Sequence, residues 1–513
     1  MSRFHVSVWI LPDQLLAEHP ALARAEQEFG RERVRVLLVE SDRWLRQLRY
    51  HRKRQILILS AGRHYAQELT EAGYQVEVVR AADGPTALEA HLRRHGSRRL
   101  VMMEAADFAI RSWQETRRSE QGKPELTLLP NTQYLVGQFN PIPNPQPDRR
   151  YIMENFYRAM RQHFQVLIEP DGRPTGGRWN YDAENRKPLP PGLIPPEVPA
   201  FEPDSITRKV IEEVDAADHG VGTSRDFDLA VTRAQAAVAF DDFLEHRLPL
   251  FGPYEDAMSR RHGTLFHSVL SPYLNLGLLE PLPLVRSAEQ AYRSGQAPLN
   301  SVEGFVRQLL GWREFIYWQY WRQMPDLRTA NHWGATRPLP SFFWDAQTDM
   351  SCLRHIVERL IAKGFAHHIE RLMVVCNYCL LAGINPALVA DWFLEFYIDS
   401  HEWVVLPNVI GMGLNADGGQ TATKPYIASA AYIHRMSDYC TGCRYSPRQR
   451  TGPEACPFNL LYWNFLLEHE TELRSNPRLG PNVLGLRHLS PAERHAIQEQ
   501  ARTYLSSLPQ STP

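Results

Sequence analysis

Short runs of apolar, mostly β-branched residues alternate with stretches of helical periodicity over roughly the first quarter of the chain. Runs of this length, separated by segments long enough for crossover helices, are typical of parallel strands. The runs are Val6–Leu11, Val34–Val39, Gln55–Leu59, Gln75–Val79, Arg99–Met103 and Glu125–Leu129. The pattern therefore predicts a doubly wound α/β domain with a parallel sheet over residues 1–135.

Residues 136–229 have a different pattern and are interpreted as an interdomain connection. Two proline-rich stretches, Asn140–Pro147 and Pro188–Pro199, interrupt it. Proline removes a backbone donor and fixes φ, so neither stretch can be a helix interior or a central strand.

From residue 230 to residue 513 the apolar positions recur at helical spacing, with capping residues at several segment starts. This predicts a large all-helical domain, so the expected fold class is α/β followed by all-α. The clearest helical segments are Ala234–Leu244, Ser301–Gln323, Cys352–Gly364, His368–Ala382, Pro386–Ser400, Leu460–Glu470 and Pro491–Leu508.

Composition indicates a soluble globular chain, with 43% hydrophobic and 22% charged residues among 513. The longest apolar runs fall short of the roughly 18 residues that cross a bilayer, so no membrane segment is expected. Six cysteines without a disulfide-dense segment suit a reducing cytoplasm. We expect a monomer. Because the net charge is −1, a polyanionic partner needs a local basic face.

Four cysteines in the C-terminal half are the strongest chemical signal: Cys352, Cys440, Cys443 and Cys456. Four thiolates can hold one tetrahedral zinc ion or one iron–sulfur cluster, and a proline after the last cysteine favours iron–sulfur. The alternative is four buried cysteines without a ligand. Cys376 and Cys379 lie in an apolar helical stretch and are interpreted as core residues.

Three carboxylates, Asp13, Glu40 and Glu104, lie where predicted strands end. Ligands of doubly wound sheets bind beyond the carboxyl ends of the strands. No G-x-G-x-x-G follows the first strand, which argues against a dinucleotide and favours a neutral polar heterocycle. The alternative is that these carboxylates cap helices.

Polar clusters inside the apolar helical sequence indicate a second site. Gly263–Gly277 offers hydroxyl groups at a helix start, which can hold phosphates. Gln308, Trp312 and Arg313 are spaced to share one helix face. His367 and His368 are adjacent, so they cannot both chelate one metal comfortably, but they could move protons. The alternative for each cluster is a satisfied core or interhelix group.

These motifs, taken in order, resemble the flavin-binding half of the photolyase/cryptochrome superfamily, and the resemblance covers nearly the whole chain. The general motifs are Tyr254, Gly263–Gly277 and Trp312–Phe315. Other motifs resemble more narrowly the bacterial iron–sulfur branch, which contains (6-4) photolyases and related cryptochromes: Gly176–Arg186, Ala366–His368, Leu406–Gly411, Lys424–Tyr426 and the four cysteines.

The resemblance implies three cofactors. The first is FAD, bound in the helical domain by Tyr254, His267, Ser268, Leu270, Ser271, Gln308, Trp312, Arg313, Arg371, Asp399 and Asn408. The second is a [4Fe–4S] cluster on Cys352, Cys440, Cys443 and Cys456, which favours iron over zinc. The third is an antenna, 6,7-dimethyl-8-ribityllumazine, near Asp13, Glu40 and Glu104.

The resemblance also implies light-driven repair of (6-4) photoproducts in UV-damaged DNA by electron transfer from excited reduced FAD. His368, supported by His367, is the expected proton donor, and Tyr426 and Tyr432 are expected in the lesion pocket. Trp392 and Trp344 are the expected path for photoreduction of FAD. The expected phosphate contacts are Arg149, Arg150, Arg161 and the Arg444–Arg450 stretch.

Two other functions compete with repair. A cryptochrome-type photoreceptor would use the same cofactors and signal by a conformational change. A zinc-binding nucleic-acid adaptor would explain the cysteines and the basic residues, but it gives Gly263–Gly277 and Trp312–Phe315 no purpose.

Overall fold

A parallel sheet of five strands forms the N-terminal part of the chain. The computed structural model describes residues 5–147, 149–476 and 480–509. Within these residues the strand order is β3-β2-β1-β4-β5, and all four neighbouring pairs are parallel. The strands are β1 (Val6–Ile10), β2 (Val34–Ser41), β3 (Gln75–Ala81), β4 (Arg99–Met103) and β5 (Glu125–Leu129). The order reverses beside β1, which makes the β1/β4 edge the switch point of the sheet.

Alternate residues of β1 belong to different hydrophobic cores. Val6, Val8 and Ile10 join the large core that continues into the helical part of the chain, whereas Trp9 packs on the opposite face with Leu88. A strand covered on both faces is apolar at every position, which is why these runs show no polar alternation. The helices of this part are Pro20–Phe29, Asp42–Gln47, Arg52–Glu71, Gly84–His95 and Phe108–Ser119.

Gln55–Leu59, predicted as a strand, lies instead inside the long helix Arg52–Glu71. The prediction was wrong because this helix is buried almost all round over its first ten residues, so its sequence lacks a polar face. It packs on the sheet and on helix Ser205–Ala217.

The basic residues that start this helix join the two halves of the chain. Arg54 is 3% exposed and donates hydrogen bonds to the backbone oxygens of Leu394 (3.3 Å) and Ser400 (2.6 Å). Its guanidinium also lies over the ring of Tyr50, 4.3 Å from the ring centre. The basic run Arg43–Arg54 therefore ends in a buried contact.

Residues 136–229 contain two long helices, Met153–Phe164 and Ser205–Ala217, joined by largely irregular chain. Arg161 on the first helix is fully buried and donates to the backbone oxygens of Val166, Leu167 and Trp179. The predicted phosphate contact of Arg161 is therefore wrong, because its guanidinium is consumed in holding this connection together.

The chain beyond residue 230 is helical, as predicted. Its α-helices are Arg233–Asp242, Leu248–Phe251, Ser271–Leu276, Pro281–Arg293, Leu299–Val306, Glu314–Gln323, Phe342–Asp345, Ser351–Lys363, His368–Glu370, Asn377–Leu381, Pro386–Phe396, Glu402–Leu406, Ala430–Met436, Pro457–Glu468, Glu470–Ser475, Gly480–Leu484 and Pro491–Ser506. Among the described residues of this part, four π-helical segments interrupt them: Phe243–Arg247, Arg307–Arg313, Arg371–Cys376 and Pro407–Gly413. Within the described ranges, no helix combines the length and apolarity that a bilayer crossing requires.

His51 is a buried residue that joins the two halves of the chain. Its Nδ1 accepts a hydrogen bond from the Lys53 amide (3.1 Å), and its Nε2 lies 3.2 Å from the Ile361 backbone oxygen. This pair of contacts needs the neutral ring with its proton on Nε2. Burial lowers the pKa of His51 from 6.5 to about 4.

We predict that His51 makes stability depend on pH below neutrality. Below pH 6.5 the ring of His51 is protonated in the unfolded chain, whereas in the folded protein it stays neutral down to about pH 4. Stability is therefore lost as pH falls through this window, by about 3 kcal/mol at pH 4 from 1.36 kcal/mol per pKa unit. The measurement is the free energy of unfolding of wild type and His51→Asn between pH 7.5 and pH 4.5.

His51→Asn keeps a capping side chain without a titrating ring. Its stability should fall less steeply with acid than that of wild type. Parallel pH profiles would contradict the assignment.

Candidate functional site: a cavity walled by three π-helical turns

A cavity lies inside the helical part of the chain, and the centres of water molecules could occupy about 290 Å³ of it. Three of the four π-helical segments supply its walls. Each interrupts an otherwise regular helix, and such turns are frequent at functional sites because they displace side chains from the α-helical register. The segments contribute Gln308, Leu309, Trp312 and Arg313, then Arg371, Leu372 and Cys376, then Asn408, Val409 and Met412.

Nine of the eleven predicted flavin-binding residues line this cavity. They come from four separate parts of the sequence, which the fold brings together: His267, Ser268, Ser271, Gln308, Trp312, Arg313, Arg371, Asp399 and Asn408. Tyr254 and Leu270 are not in the lining. Tyr254 packs against Phe266, and Leu270 is 1% exposed in the core.

A buried ion pair joins two walls of the cavity. Arg371 donates to both carboxylate oxygens of Asp399, at 3.0 and 2.9 Å, and Ser271 Oγ donates to the same carboxylate at 2.6 Å. The guanidinium lies 4.2 Å from the ring centre of Tyr397. Burial opposes ionisation of Asp399, but Arg371 outweighs it, so the pKa of this carboxyl lies below its ordinary value.

A second polar group lies around Glu255, which sequence reasoning missed. Its carboxylate accepts from Gln308 Nε2 (2.8 Å) and from Asn185 Nδ2 (3.1 Å), and burial raises its pKa to about 7. The neighbouring Asp256 accepts from Tyr432 Oη at 3.4 Å, and burial raises its pKa to about 6. Tyr432 therefore lies beside a carboxyl group that can hold a proton near neutral pH.

The two predicted histidines have different environments. His367 is buried and stacks on His267 with ring centres 4.4 Å apart, while His368 lines the cavity and is exposed to its interior. Burial and then Arg371 lower the pKa of His368, so its ring is neutral at pH 7. Of these two histidines, His368 is the one that lines the cavity and can exchange a proton with a molecule there.

Several lining residues carried no recognisable signal in the sequence. Trp403, Tyr397 and Phe365 contribute aromatic surface, and Cys376, interpreted as core, also reaches the lining. Their positions depend on which face of each helix meets the cavity, and in an all-apolar segment the sequence does not reveal that face. Cys376 is 2% exposed and belongs to the core, as predicted, although it also contacts the cavity.

Unsatisfied donors identify the kind of ligand that the cavity suits. Among the described residues, His267 Nε2, Arg313 Nη2, Tyr397 Oη and Trp403 Nε1 are buried without a hydrogen-bond partner. Buried polar groups are normally paired, so these four call for a ligand with acceptors. Together with the aromatic walls, they suit a large, partly aromatic and partly anionic molecule.

The four predicted cysteines surround a second, small cavity. Cys352 starts helix Ser351–Lys363, Cys440 and Cys443 lie in the loop after helix Ala430–Met436, and Cys456 precedes helix Pro457–Glu468. All four are free thiols, and burial raises the pKa of Cys440 to about 11 and of Cys456 to about 12. The alternative of unrelated buried cysteines does not explain this convergence.

The four sulfur atoms do not form a compact tetrahedron. A tetrahedral site with Zn–S bonds of 2.3 Å places its sulfurs about 3.8 Å apart. Within the described part of the chain, no three of the cysteine sulfurs come within 4.8 Å of one another. The four cysteines around this cavity, called the cysteine ring below, are therefore spaced more widely than a zinc site requires.

Asp13, Glu40 and Glu104 lie at the carboxyl ends of three adjacent strands, at the switch point of the sheet. Two guanidinium nitrogens of Arg63 bind the carboxylate oxygens of Glu40, at 2.7 and 3.0 Å. Arg111 binds the carboxylate of Glu104 in the same way, at 2.6 and 2.7 Å. Burial raises the pKa of Asp13 to about 7. The alternative that these carboxylates cap helices is wrong, because the capping side chains are His19, Ser41 and Asp107.

An aromatic path leads from the cavity towards Trp344. Phe393 lines the cavity and stacks on Tyr397, and Trp392 packs against both at 5.4 and 6.0 Å between ring centres. Trp392 Nε1 donates to the backbone oxygen of Phe343, which precedes the half-buried Trp344. The two predicted tryptophans are thus near each other but outside the cavity lining.

Comparisons with known proteins identify the family of the chain. A family described as "Deoxyribodipyrimidine photo-lyase-related protein" matches residues 8–229. A (6-4) photolyase of Agrobacterium fabrum is 40% identical over 98% of this chain and 99% of its own length. A shorter similarity, 36% identity over 21% of this chain and 80% of the relative, links it to an uncharacterized mimivirus protein.

Two solved structures share the fold. A bacterial class III photolyase from Agrobacterium tumefaciens superposes with a TM-score of 0.60 at 15% identity, over 99% of this chain and 98% of its own. A cryptochrome of Synechocystis superposes with a TM-score of 0.62 at 15% identity, over 99% and 100%. The chain belongs to the photolyase/cryptochrome family, in the branch of deoxyribodipyrimidine photo-lyase-related proteins.

Proposed function

We propose that this protein repairs (6-4) pyrimidine photoproducts in DNA with light. The observation that carries the proposal is the cavity, where nine predicted flavin contacts and His368 share one lining. The full-length similarity to a protein named (6-4) photolyase supports the same reaction.

FAD, which the family implies, fits the cavity. Arg313 and His267 offer unsatisfied donors for anionic or carbonyl oxygens, and Trp312 and Trp403 offer aromatic surface. When bound and reduced, the flavin would supply on excitation the electron that breaks the bond between the damaged bases. The Arg371–Asp399 pair would hold the wall of the site beside it.

His368 would move the proton that the reaction needs. Its neutral ring can accept a proton, and a negatively charged substrate in the cavity would raise the pKa of His368 and make it a donor. His367 is buried behind it on the same turn, 3.6 Å from the carboxylate of Glu370. It would act by positioning rather than by contact with the lesion.

The lesion and its strand would lie beside Tyr426 and Tyr432. Tyr426 is half-buried next to Trp312 and Met412, and Tyr432 is half-buried on helix Ala430–Met436. A flipped lesion costs least where base pairing is already damaged. Exposed arginines would hold the phosphates, with Arg149, Arg150 and the Arg444–Arg450 stretch as candidates.

The ring of four cysteines would hold a [4Fe–4S] cluster. Four thiolates close together repel one another, so a polynuclear cation is what would keep them ionised. The cluster would tie Cys352 to a segment roughly ninety residues further along the chain, and we assign it a structural role on that ground.

The strand-end crevice would hold 6,7-dimethyl-8-ribityllumazine as an antenna. Arg63 and Arg111 fix Glu40 and Glu104 in place, and Asp13 can share a proton near neutral pH. These groups suit a neutral heterocycle with a polyhydroxyl chain better than a phosphate.

The decisive experiment is repair of an oligonucleotide with one (6-4) photoproduct under blue light. We expect the wild-type protein to restore the two pyrimidines, and His368→Ala to lose repair while it retains flavin. The matched control is His246→Ala, an exposed histidine elsewhere on the surface that should leave repair unchanged.

Two outcomes would change the assignment. Unimpaired repair by His368→Ala would remove the proposed role of His368. A flavin-loaded wild-type protein without any repair activity would favour the photoreceptor, and a colourless folded protein would reject both light-driven functions.

Trp392 should carry electrons to oxidised flavin. Because Trp392 is 1% exposed and packs against Phe393, which lines the cavity, Trp392→Phe should nearly abolish photoreduction while flavin content stays constant. Transient absorption after a light pulse measures the rate. Trp113→Phe, which alters a tryptophan packed on the far face of the sheet, is the control; equal rates for both variants would exclude the path.

Iron content tests the cysteine ring. We expect about four iron atoms per chain and a broad visible absorption in addition to that of flavin. Cys443→Ala should lose the iron, whereas Cys379→Ala, a buried cysteine outside the ring, should keep it. One zinc ion per chain in place of iron would overturn the cluster assignment.

A further inference from the structure

A second group of metal-ligand type lies near the amino end of the edge strand β3, away from the strand-end crevice at the carboxyl ends of β1, β2 and β4. Glu77 is near the start of the edge strand β3, and His91 and His95 are on the last turns of helix Gly84–His95, which packs on β3. Neither the flavin cavity nor the cysteine ring involves these residues.

The three side chains point their ligand atoms at one another. Glu77 Oε2 is 2.6 Å from His91 Nδ1 and 3.3 Å from His95 Nε2, and one ligand atom from each residue lies within 4.8 Å of the others. The two histidines are four positions apart on a helix, the spacing that places side chains on one face. Their ring centres are 4.5 Å apart.

The dimensions and chemistry suit zinc. Bonds of about 2.05 Å in a tetrahedral site separate the ligand atoms by about 3.3 Å. The distance between Glu77 and His95 already has this value, and the distance between Glu77 and His91 would have to open by about 0.7 Å. Two imidazoles and a carboxylate form a ligand set that zinc uses with water in the fourth position.

The surroundings support a built site rather than a chance surface cluster. His91 has a side chain only 1% exposed, and Arg94 binds the other oxygen of Glu77, which leaves Oε2 directed at the histidines. A ligand held in this way from behind is typical of metal sites. His5, whose ring centre is 6.5 Å from that of His95, has a buried Nδ1 without a partner among the described residues.

We propose that Glu77, His91 and His95 bind one Zn²⁺ ion, with water in the fourth position. The ion would clamp the edge strand β3 to the helix that covers it. It would therefore stabilise the antenna half of the protein without taking part in light chemistry.

The test is zinc titration of the flavin-loaded protein by calorimetry, for wild type, His95→Gln and His64→Gln. His95 is 25% exposed, so glutamine should be tolerated there. His64 is the control, because it pairs with a single carboxylate, that of Asp204 at 3.3 Å. We expect wild type and His64→Gln to bind one more equivalent of zinc than His95→Gln.

Cobalt(II) separates this site from the cysteine ring. Cobalt at the proposed site should give d–d absorption without a thiolate charge-transfer band, and His95→Gln should lose this spectrum. Zinc should also raise the melting temperature of wild type but not that of His95→Gln. If His95→Gln does not fold, Glu77→Gln replaces it.

Three results would overturn the proposal: equal zinc stoichiometry in wild type and the variant, a cobalt spectrum with thiolate bands only, or no zinc binding at all. In the last case the three residues are a hydrogen-bonded cluster that only packs the helix on the strand.

Discussion

The buried pair of Arg371 and Asp399 is the constraint on which the cavity depends. The Asp399 side chain is 6% exposed and that of Arg371, which lines the cavity, is 23% exposed, so the buried carboxylate depends on the guanidinium and on further hydrogen bonds. Ser271 and the ring of Tyr397 complete the arrangement, which fixes the distance between the helix start at Ser271, the π-helical turn at Arg371 and the loop at Asp399. Removing one member of such a pair costs about 3–5 kcal/mol, because the remaining charge is left unpaired. The shape of the cavity is therefore set by electrostatics as much as by packing.

The π-helical turns explain how a cavity of this size survives in a well-packed helical core. A regular helix has 3.6 residues per turn, so its side chains would pack against the neighbouring helices in one continuous register. One extra residue in a turn moves Trp312 and Arg313, or Cys376, onto the face that meets the cavity. The donors left unsatisfied there are a cost to the folded chain that a bound cofactor would offset. In the function proposed above, these π-helical turns and unsatisfied donors form the flavin site.

The two halves of the chain are joined by buried polar contacts rather than by a flexible linker. At the start of helix Arg52–Glu71, Arg54 and His51 contact the backbone oxygens of Leu394 and Ile361. Arg313 donates to the backbone oxygen of Gln133 at 3.1 Å. The last contact connects the flavin cavity directly to the segment beyond the sheet. A fixed distance between the strand-end crevice and the cavity follows from these contacts, and energy transfer between an antenna and a flavin would require such a fixed distance.

The sequence by itself determined the class of the fold and most members of the site. Apolar runs with crossover spacing predicted the five observed strands and one segment that is helix, because periodicity is a local property. The nine lining residues followed from the resemblance to the photolyase/cryptochrome superfamily, which rests on the order of the motifs, and the four cysteines were recognised by residue type and spacing. The tertiary structure alone decided the rest. Gln55–Leu59 is helical, although its sequence suggested a strand, because a helix that is buried on nearly all sides lacks a polar face. Arg161 does not lie on the proposed DNA surface, because it is buried and donates its hydrogen bonds to neighbouring backbone oxygens. The packing of distant segments places Glu255, Trp403 and Tyr397 in the cavity lining. It also places Glu77 beside His91 and His95. The sequence did not show either group, since the direction of a side chain in a folded core depends on its neighbours in space.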